Sequence, residues 1–127
     1  MASIPILVVE DNEANMKLME HLLSARGYEH RGATNAKEAL ELLETFHPQL
    51  ILMDLQLPGM DGYELTRRLK AAPETKDILI VALTAYAMKG DEERARAAGC
   101  DGYLTKPIDT RAFGAKLTEF LSRGKNR

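Results

Sequence analysis

Short apolar runs alternate with longer stretches of helical period along the whole chain. Residues 4–9, 50–53 and 78–83 are strand-sized runs of aliphatic side chains, and 101–105 holds a fourth, shorter segment. A weaker, polar segment at 28–33 has the makings of an edge strand. Between them the period lengthens. Met16, Met19, Leu22 and Leu23 recur at helical spacing within 12–26, and Gly27 stands where a left-handed residue would end that helix. Thr34 or Asn35 can cap a helix over 36–46 that carries Ala39, Leu40, Leu42 and Leu43 and is closed by Pro48. A third helix is expected from Asp61 or Gly62 to just before Pro73. A short, highly charged one is expected over 89–98, closed by Gly99, and a last one from Asp109 or Thr110 to about 122. The basic end, 123–127, is expected to fray.

Five βα units in succession predict an α/β fold with a parallel sheet. The runs at 50–53 and 78–83 are apolar at every position, as parallel strands covered on both faces must be. The polar second strand belongs at an edge. Those constraints fit strand order 2-1-3-4-5, a doubly wound three-layer sandwich of the flavodoxin-like kind, with its switch point between the first and third strands. At 127 residues the chain suits one domain, with a core over about 4–122.

Composition narrows the function classes. A net charge of −2 gives no broad electrostatic case for binding nucleic acid. No apolar run approaches the ~20 residues needed to cross a membrane, and no basic segment precedes the first run as in a signal peptide. The single cysteine, Cys100, cannot form an internal disulfide and fits a cytoplasmic setting, most simply as a small buried hydrophobe. His21, His30 and His47 are scattered without a ligand pattern.

The chemistry lies at the strand ends. The first strand runs into Glu10-Asp11, the third into Asp54, the fourth into Thr84 and the fifth into Lys106-Pro107. In an open parallel sheet, functional groups gather beyond the carboxyl ends of the strands, at the switch point. Three carboxylates, a hydroxyl and an ammonium group would meet there. Like charges do not gather without a reason, and a bound divalent cation is the simplest one. Taken singly, each residue has a plainer reading: a helix cap, a strand-end turn residue, a surface lysine.

The segments Val8-Val9-Glu10-Asp11-Asn12, Ile51-Leu52-Met53-Asp54, Leu57-Pro58-Gly59-Met60-Asp61-Gly62, Leu83-Thr84-Ala85 and Lys106-Pro107, in this order and spacing, resemble the receiver domain of bacterial response regulators, the CheY-like family. The stretch Ala85-Tyr86-Ala87-Met88-Lys89-Gly90-Asp91 looks like stand-alone regulators of the DivK type, and equally like receivers fused to hybrid sensor kinases. The resemblance implies a two-component phosphorelay protein. Asp54 matches the phosphoacceptor. Glu10 and Asp11 match the acidic pair that holds Mg²⁺, with Asp11, Asp54 and the Gln56 backbone carbonyl as direct ligands and Glu10 acting through water. Lys106 would contact a phosphoryl oxygen, after which a cis proline peptide is expected, and Thr84 would hydrogen-bond another. Thr84 and Tyr103 match the switch pair that alters the surface of the fourth helix, fifth strand and fifth helix. Gln56 and Tyr86 match positions that control access of water.

The partners implied are a sensor histidine kinase or a histidine phosphotransfer protein, and a downstream protein the sequence does not name. The chain would catalyse its own phosphorylation and, slowly, its own dephosphorylation, as a cytoplasmic monomer or weak dimer. A flavin or nucleotide enzyme on the same fold is the rival class. Against it, Glu10-Asp11-Asn12 stands where a glycine-rich phosphate loop would follow the first strand. A DNA-binding regulator would need a helix-turn-helix segment after the fifth helix, and none is present in these residues.

Overall fold

A computed structural model describes residues 4–85 and 89–125. The elements follow the expected alternation: β1 (Pro5–Val9), α1 (Glu13–Ala25), β2 (Glu29–Ala33), α2 (Ala36–Leu42), β3 (Leu50–Asp54), α3 (Gly62–Ala71), β4 (Leu79–Thr84), α4 (Lys89–Ala98), β5 (Gly102–Thr105) and α5 (Phe113–Lys125). The five strands form one parallel sheet in the order β2-β1-β3-β4-β5, as expected. Every residue of β3 and β4 is buried. β2 at the edge buries only Ala33.

Strand alternation divides the core between the two faces. Leu7, Val9, Ile51, Met53, Ile80 and Ala82 point into one layer, with side chains of α2, α3 and α4. Ile6, Val8, Leu50, Leu52, Val81 and Leu83 point into the other, where Met19 and Leu23 of α1 and Phe113, Leu117 and Leu121 of α5 cover them. Met19 is fully buried and Met16 packs at the rim of the same layer, so both serve as filler. Cys100 is buried, with its Sγ 3.9 Å from Thr66 Oγ1, and the medium around it pushes the thiol up to about 11. His21 and His47 are exposed and His30 is half-buried.

The helix ends obey local chemistry. The side chains of Asn12, Asn35 and Asp61 accept hydrogen bonds from the N–H groups of Asn15, Glu38 and Glu64, so each serves as an N-cap. Asn35 thus takes the cap left open between it and Thr34. Gly27, at φ 77°, closes α1 in the left-handed region. Two boundaries differ from expectation. α2 stops at Leu42 rather than 46, because the Glu44 and Thr45 N–H groups bond three residues back, to the Glu41 and Leu42 carbonyls, and tighten the chain out of the α-helical pattern. α5 begins at Phe113 rather than at Asp109 or Thr110. Asp109 instead organises a turn, its Oδ1 accepting from Arg111 and Ala112 N–H and its carbonyl from Phe113 N–H. α5 also runs on to Lys125, past the point where fraying was expected. Residues 1–3, 126–127 and Tyr86 lie outside the described residues. Among the described residues, no helix is long and apolar enough to cross a membrane.

Far from the strand ends that carry the chemistry, Lys70 ties α3 to the start of β4 and β5. Its Nζ donates to the Ile78 carbonyl at 2.7 Å, to the Lys76 carbonyl at 3.2 Å and to Asp101 Oδ2 at 2.8 Å. The same Asp101 oxygen accepts from Ile80 N–H at 2.9 Å. Removing one partner of a buried pair leaves the other charge uncompensated, at a cost of about 3–5 kcal/mol when burial is complete. Lys70 and Asp101 side chains are 17% and 15% exposed, which calls for a discount. Asp101→Ala is expected to lower the unfolding free energy by about 2–3 kcal/mol. Urea unfolding measures it, and an unchanged midpoint would show that the network contributes nothing.

Candidate phosphoryl and metal site

The carboxyl ends of β1, β3 and β5 bring Glu10, Asp11, Asp54 and Lys106 together. Ligand oxygens of Glu10, Asp11 and Asp54 all lie within 4.8 Å of one another. Glu10 is completely buried and Asp54 is 3% exposed, whereas Asp11 opens to solvent. The backbone holds the two buried carboxylates. Asn12 N–H donates to Glu10 Oε2 at 3.2 Å as the chain turns into α1. Gln56 N–H donates to Asp54 Oδ1 at 2.9 Å as it leaves β3.

Lys106 supplies the positive charge. Its N–H donates to the Thr84 carbonyl at 2.7 Å, which fixes the end of β5 against β4, and the Lys106–Pro107 peptide is cis. Its Nζ sits 2.6 Å from Glu10 Oε1 and 3.4 Å from Asp54 Oδ2. The contact to Oε1 is close but poorly aligned. It acts as an ion pair and leaves that buried oxygen without a directed hydrogen-bond donor among the described residues. One ammonium group faces three carboxylates.

The imbalance shows in Asp54. Its carboxyl is pushed from 3.8 up to about 6. Burial is the largest cause, followed by a hydrogen bond with Glu10; the Gln56 N–H and Lys106 act the other way. All the donors in the cluster are carboxylate oxygens, the hard ligands that magnesium takes. A single ammonium shared between two buried carboxylates, with a third beside them, and a carboxyl held partly protonated both mark a place where a further cation would be accommodated. The residues present therefore fit Mg²⁺.

Other expected residues fall around this centre. Thr84 is buried at the end of β4. Register sets Ala82 beside Tyr103 and Thr84 beside Thr105, so Thr84 and Tyr103 share a face of the sheet. Tyr103 is half-buried against the layer that contains α4, and burial, Asp91, Tyr63 and Glu92 all raise its phenol above the ordinary range. The Gln56 side chain is exposed, and its recorded contact with the site is the N–H to Asp54. Charge reasoning does not single out Gly62. A Cβ there would stand 2.3 Å from the Asp54 carbonyl oxygen and 2.7 Å from Leu55 Cα, so the first turn of α3 presses directly on the Asp54 backbone. Its N–H also donates to the Leu55 carbonyl at 3.2 Å. The Asp61-Gly62 pair at a helix start is the signal that could have marked it.

Known proteins share this fold and much of this sequence. The model of the response regulator receiver domain matches residues 6–118. The polar-differentiation response regulator DivK of Brucella ovis is 47% identical over 116 residues, which is 91% of this chain and 94% of that protein. A putative response regulator from Chloroflexus aurantiacus superposes with a TM-score of 0.91 at 30% identity, over 95% of this chain and 99% of its own. The receiver domain of a sensor histidine kinase from Pseudomonas aeruginosa matches with a TM-score of 0.86 at 35% identity, over 95% and 99% of the two chains. That domain is described with a magnesium ion coordinated in its active-site cleft.

The raised Asp54 carboxyl has a consequence for stability. Between the unfolded value near 3.8 and the folded value of about 6, the folded protein binds more protons than the unfolded chain. Stability of the metal-free protein should therefore fall as pH rises through that window, by up to about 3 kcal/mol. Asp54→Asn should flatten this part of the profile. Urea melts in metal-free buffer across the window decide it, and an equally steep fall in the variant would place the titration elsewhere.

Proposed function

The chain belongs to the response regulator receiver domain family of two-component systems, and on that premise we propose that it is a single-domain regulator that accepts a phosphoryl group on Asp54. The observation that carries this reading is the convergence of Asp54, Glu10, Asp11 and Lys106 at neighbouring strand ends. Receivers of this family work with histidine kinases or phosphotransfer proteins, and a phosphohistidine of such a partner is the donor in this account.

A carboxylate can act as a nucleophile toward phosphorus and form an acyl phosphate. An oxygen of Asp54 attacks the phosphorus in line with the P–N bond of the phosphohistidine. That bond breaks, and its electron pair stays on the imidazole nitrogen, which takes up a proton. Asp54 must be ionised to attack, and the Gln56 N–H and the Lys106 ammonium are the groups of this chain that favour its ionised form. Asp11, Asp54 and the Gln56 backbone carbonyl would hold Mg²⁺ directly, with Glu10 acting through water. When bound, the ion offsets negative charge on the transferring group. Lys106 would neutralise one phosphoryl oxygen and orient it. Thr84 would donate its hydroxyl to another, and Tyr103, on the same face of the sheet, would respond. The readout surface is then α4, β5 and α5. Ala85, small and exposed, leaves the approach to the acceptor open. One buried free thiol and the phosphohistidine donor both suit a cytoplasmic protein.

Asp54→Asn is expected to abolish labelling by acetyl phosphate or by a phosphorylated kinase, while the parent acquires an alkali-labile label. Undiminished label on the folded variant would overturn the assignment of the acceptor.

A further inference from the structure

Tyr63, the second residue of α3, is 8% exposed and takes no part in the chemistry described above. Its position is nonetheless mechanical. The residue before it is Gly62, whose Cα packs against the Asp54 carbonyl and Leu55 Cα with no room for a side chain. The residue it touches on the other side is Arg94 of α4, whose guanidinium lies over the Tyr63 ring at 4.2 Å from its centroid. Tyr63 also stands close enough to Tyr103 to act on its phenol, together with Asp91 and Glu92 of α4.

α4 is thinly anchored. Among its described side chains only Ala95 and Ala98 are buried, and both are too small to interlock with their neighbours. Asp91 and Glu92 are half-buried, and Gly90, Glu93, Arg94, Arg96 and Ala97 are exposed. An element with so little buried apolar surface belongs to the low-stability part of a fold, from which moving parts are drawn. Against that background one guanidinium seated on one aromatic ring is a large share of what fixes α4 to α3.

We propose that Tyr63 and Arg94 are a positioning pair that couples the Asp54 backbone to α4 through the first turn of α3. The acceptor's carbonyl and Gly62 are in direct backbone contact, so displacement of one is transmitted to the other without slack. The Tyr63 ring carries that displacement to Arg94, and Arg94 carries it to the helix. By linkage, a contact that differs between two states of α4 must alter affinity at Asp54, and the reverse. This inference rests on the reading of Asp54 as phosphoacceptor.

The test titrates the full chain with beryllofluoride, an acyl-phosphate mimic, at saturating Mg²⁺. Amide NMR shifts near Asp54 and across residues 89–98 are followed, with the melting temperature measured alongside. The variants are Tyr63→Leu, which keeps apolar bulk and removes the ring, Arg94→Gln, which removes the charge, their combination, and Tyr63→Phe, which keeps the ring. Each of the first two should change beryllofluoride affinity by about two- to fivefold, the worth of a solvent-facing cation–π contact. Both should change it in the same sense, and the combination should exceed neither. Tyr63→Phe should match the parent. A lower melting temperature with unchanged affinity would assign the pair a structural role only and overturn the proposal. Additive effects in the combined variant would overturn it too, because the two residues would then act separately. A parent that does not bind beryllofluoride would overturn the phosphoacceptor reading, and this proposal with it; a binding parent with unresponsive variants overturns this proposal alone.

Discussion

Three carboxylates share a space in which their oxygens are within 4.8 Å of one another, and two of the three are buried. At the effective dielectric of such sites each like-charged pair at this separation opposes folding by roughly 3 kcal/mol. Much of the local structure around the sheet's carboxyl edge answers that repulsion. Lys106 is drawn in to 2.6 Å from Glu10 and 3.4 Å from Asp54. The N–H groups of Asn12 and Gln56 are turned inward to solvate a carboxylate each. Asp54 retains its proton to about pH 6. None of these measures removes the excess negative charge, and a site left with unbalanced carboxylates fits a divalent cation.

The sheet makes the gathering possible. Parallel strands all end on one edge, and the order β2-β1-β3-β4-β5 places the ends of β1 and β3 side by side with β4 next to them. Acidic groups that are more than forty residues apart in the chain, such as Glu10 and Asp54, become neighbours without any local motif. β3 and β4 are buried along their whole length, so their ends are held rigidly. Asp54 inherits that rigidity, and the first turn of α3 packed on its backbone adds to it.

Most of this was legible in the amino-acid sequence, for an identifiable reason. Runs such as 50–53 and 78–83, apolar at every position and alternating with helical stretches, read as covered parallel strands, and residues at their ends are then brought together by topology. Glu10, Asp11, Asp54 and Lys106 could be named on that ground. Helix ends were less legible where hydrogen bonds outside the helical pattern decide them. Leu43 and Phe46 keep the apolar spacing of α2, yet the backbone has already turned at Leu42. Asp109 has the residue type of a cap but builds a separate turn before α5. Contacts between helices were not legible at all. Lys70 with Asp101, and Arg94 with Tyr63, join residues about thirty positions apart whose spacing carries no period. Gly62 stands between these cases: its place before a helix was visible, but the close approach to Asp54 that demands glycine was not.

A carboxylate cluster that is a magnesium site must be stabilised by the ion it holds. Thermal melting of the metal-free parent and of Asp11→Ala, each with and without Mg²⁺, measures it. Binding at a hundredfold excess over the dissociation constant stabilises by about 2.7 kcal/mol, enough to raise the parent's melting temperature by several degrees. Asp11→Ala should lose most of that rise. Without metal it should melt no lower than the parent, because one source of repulsion is gone. A parent that Mg²⁺ does not stabilise, or a variant that it stabilises as fully as the parent, would contradict the central claim.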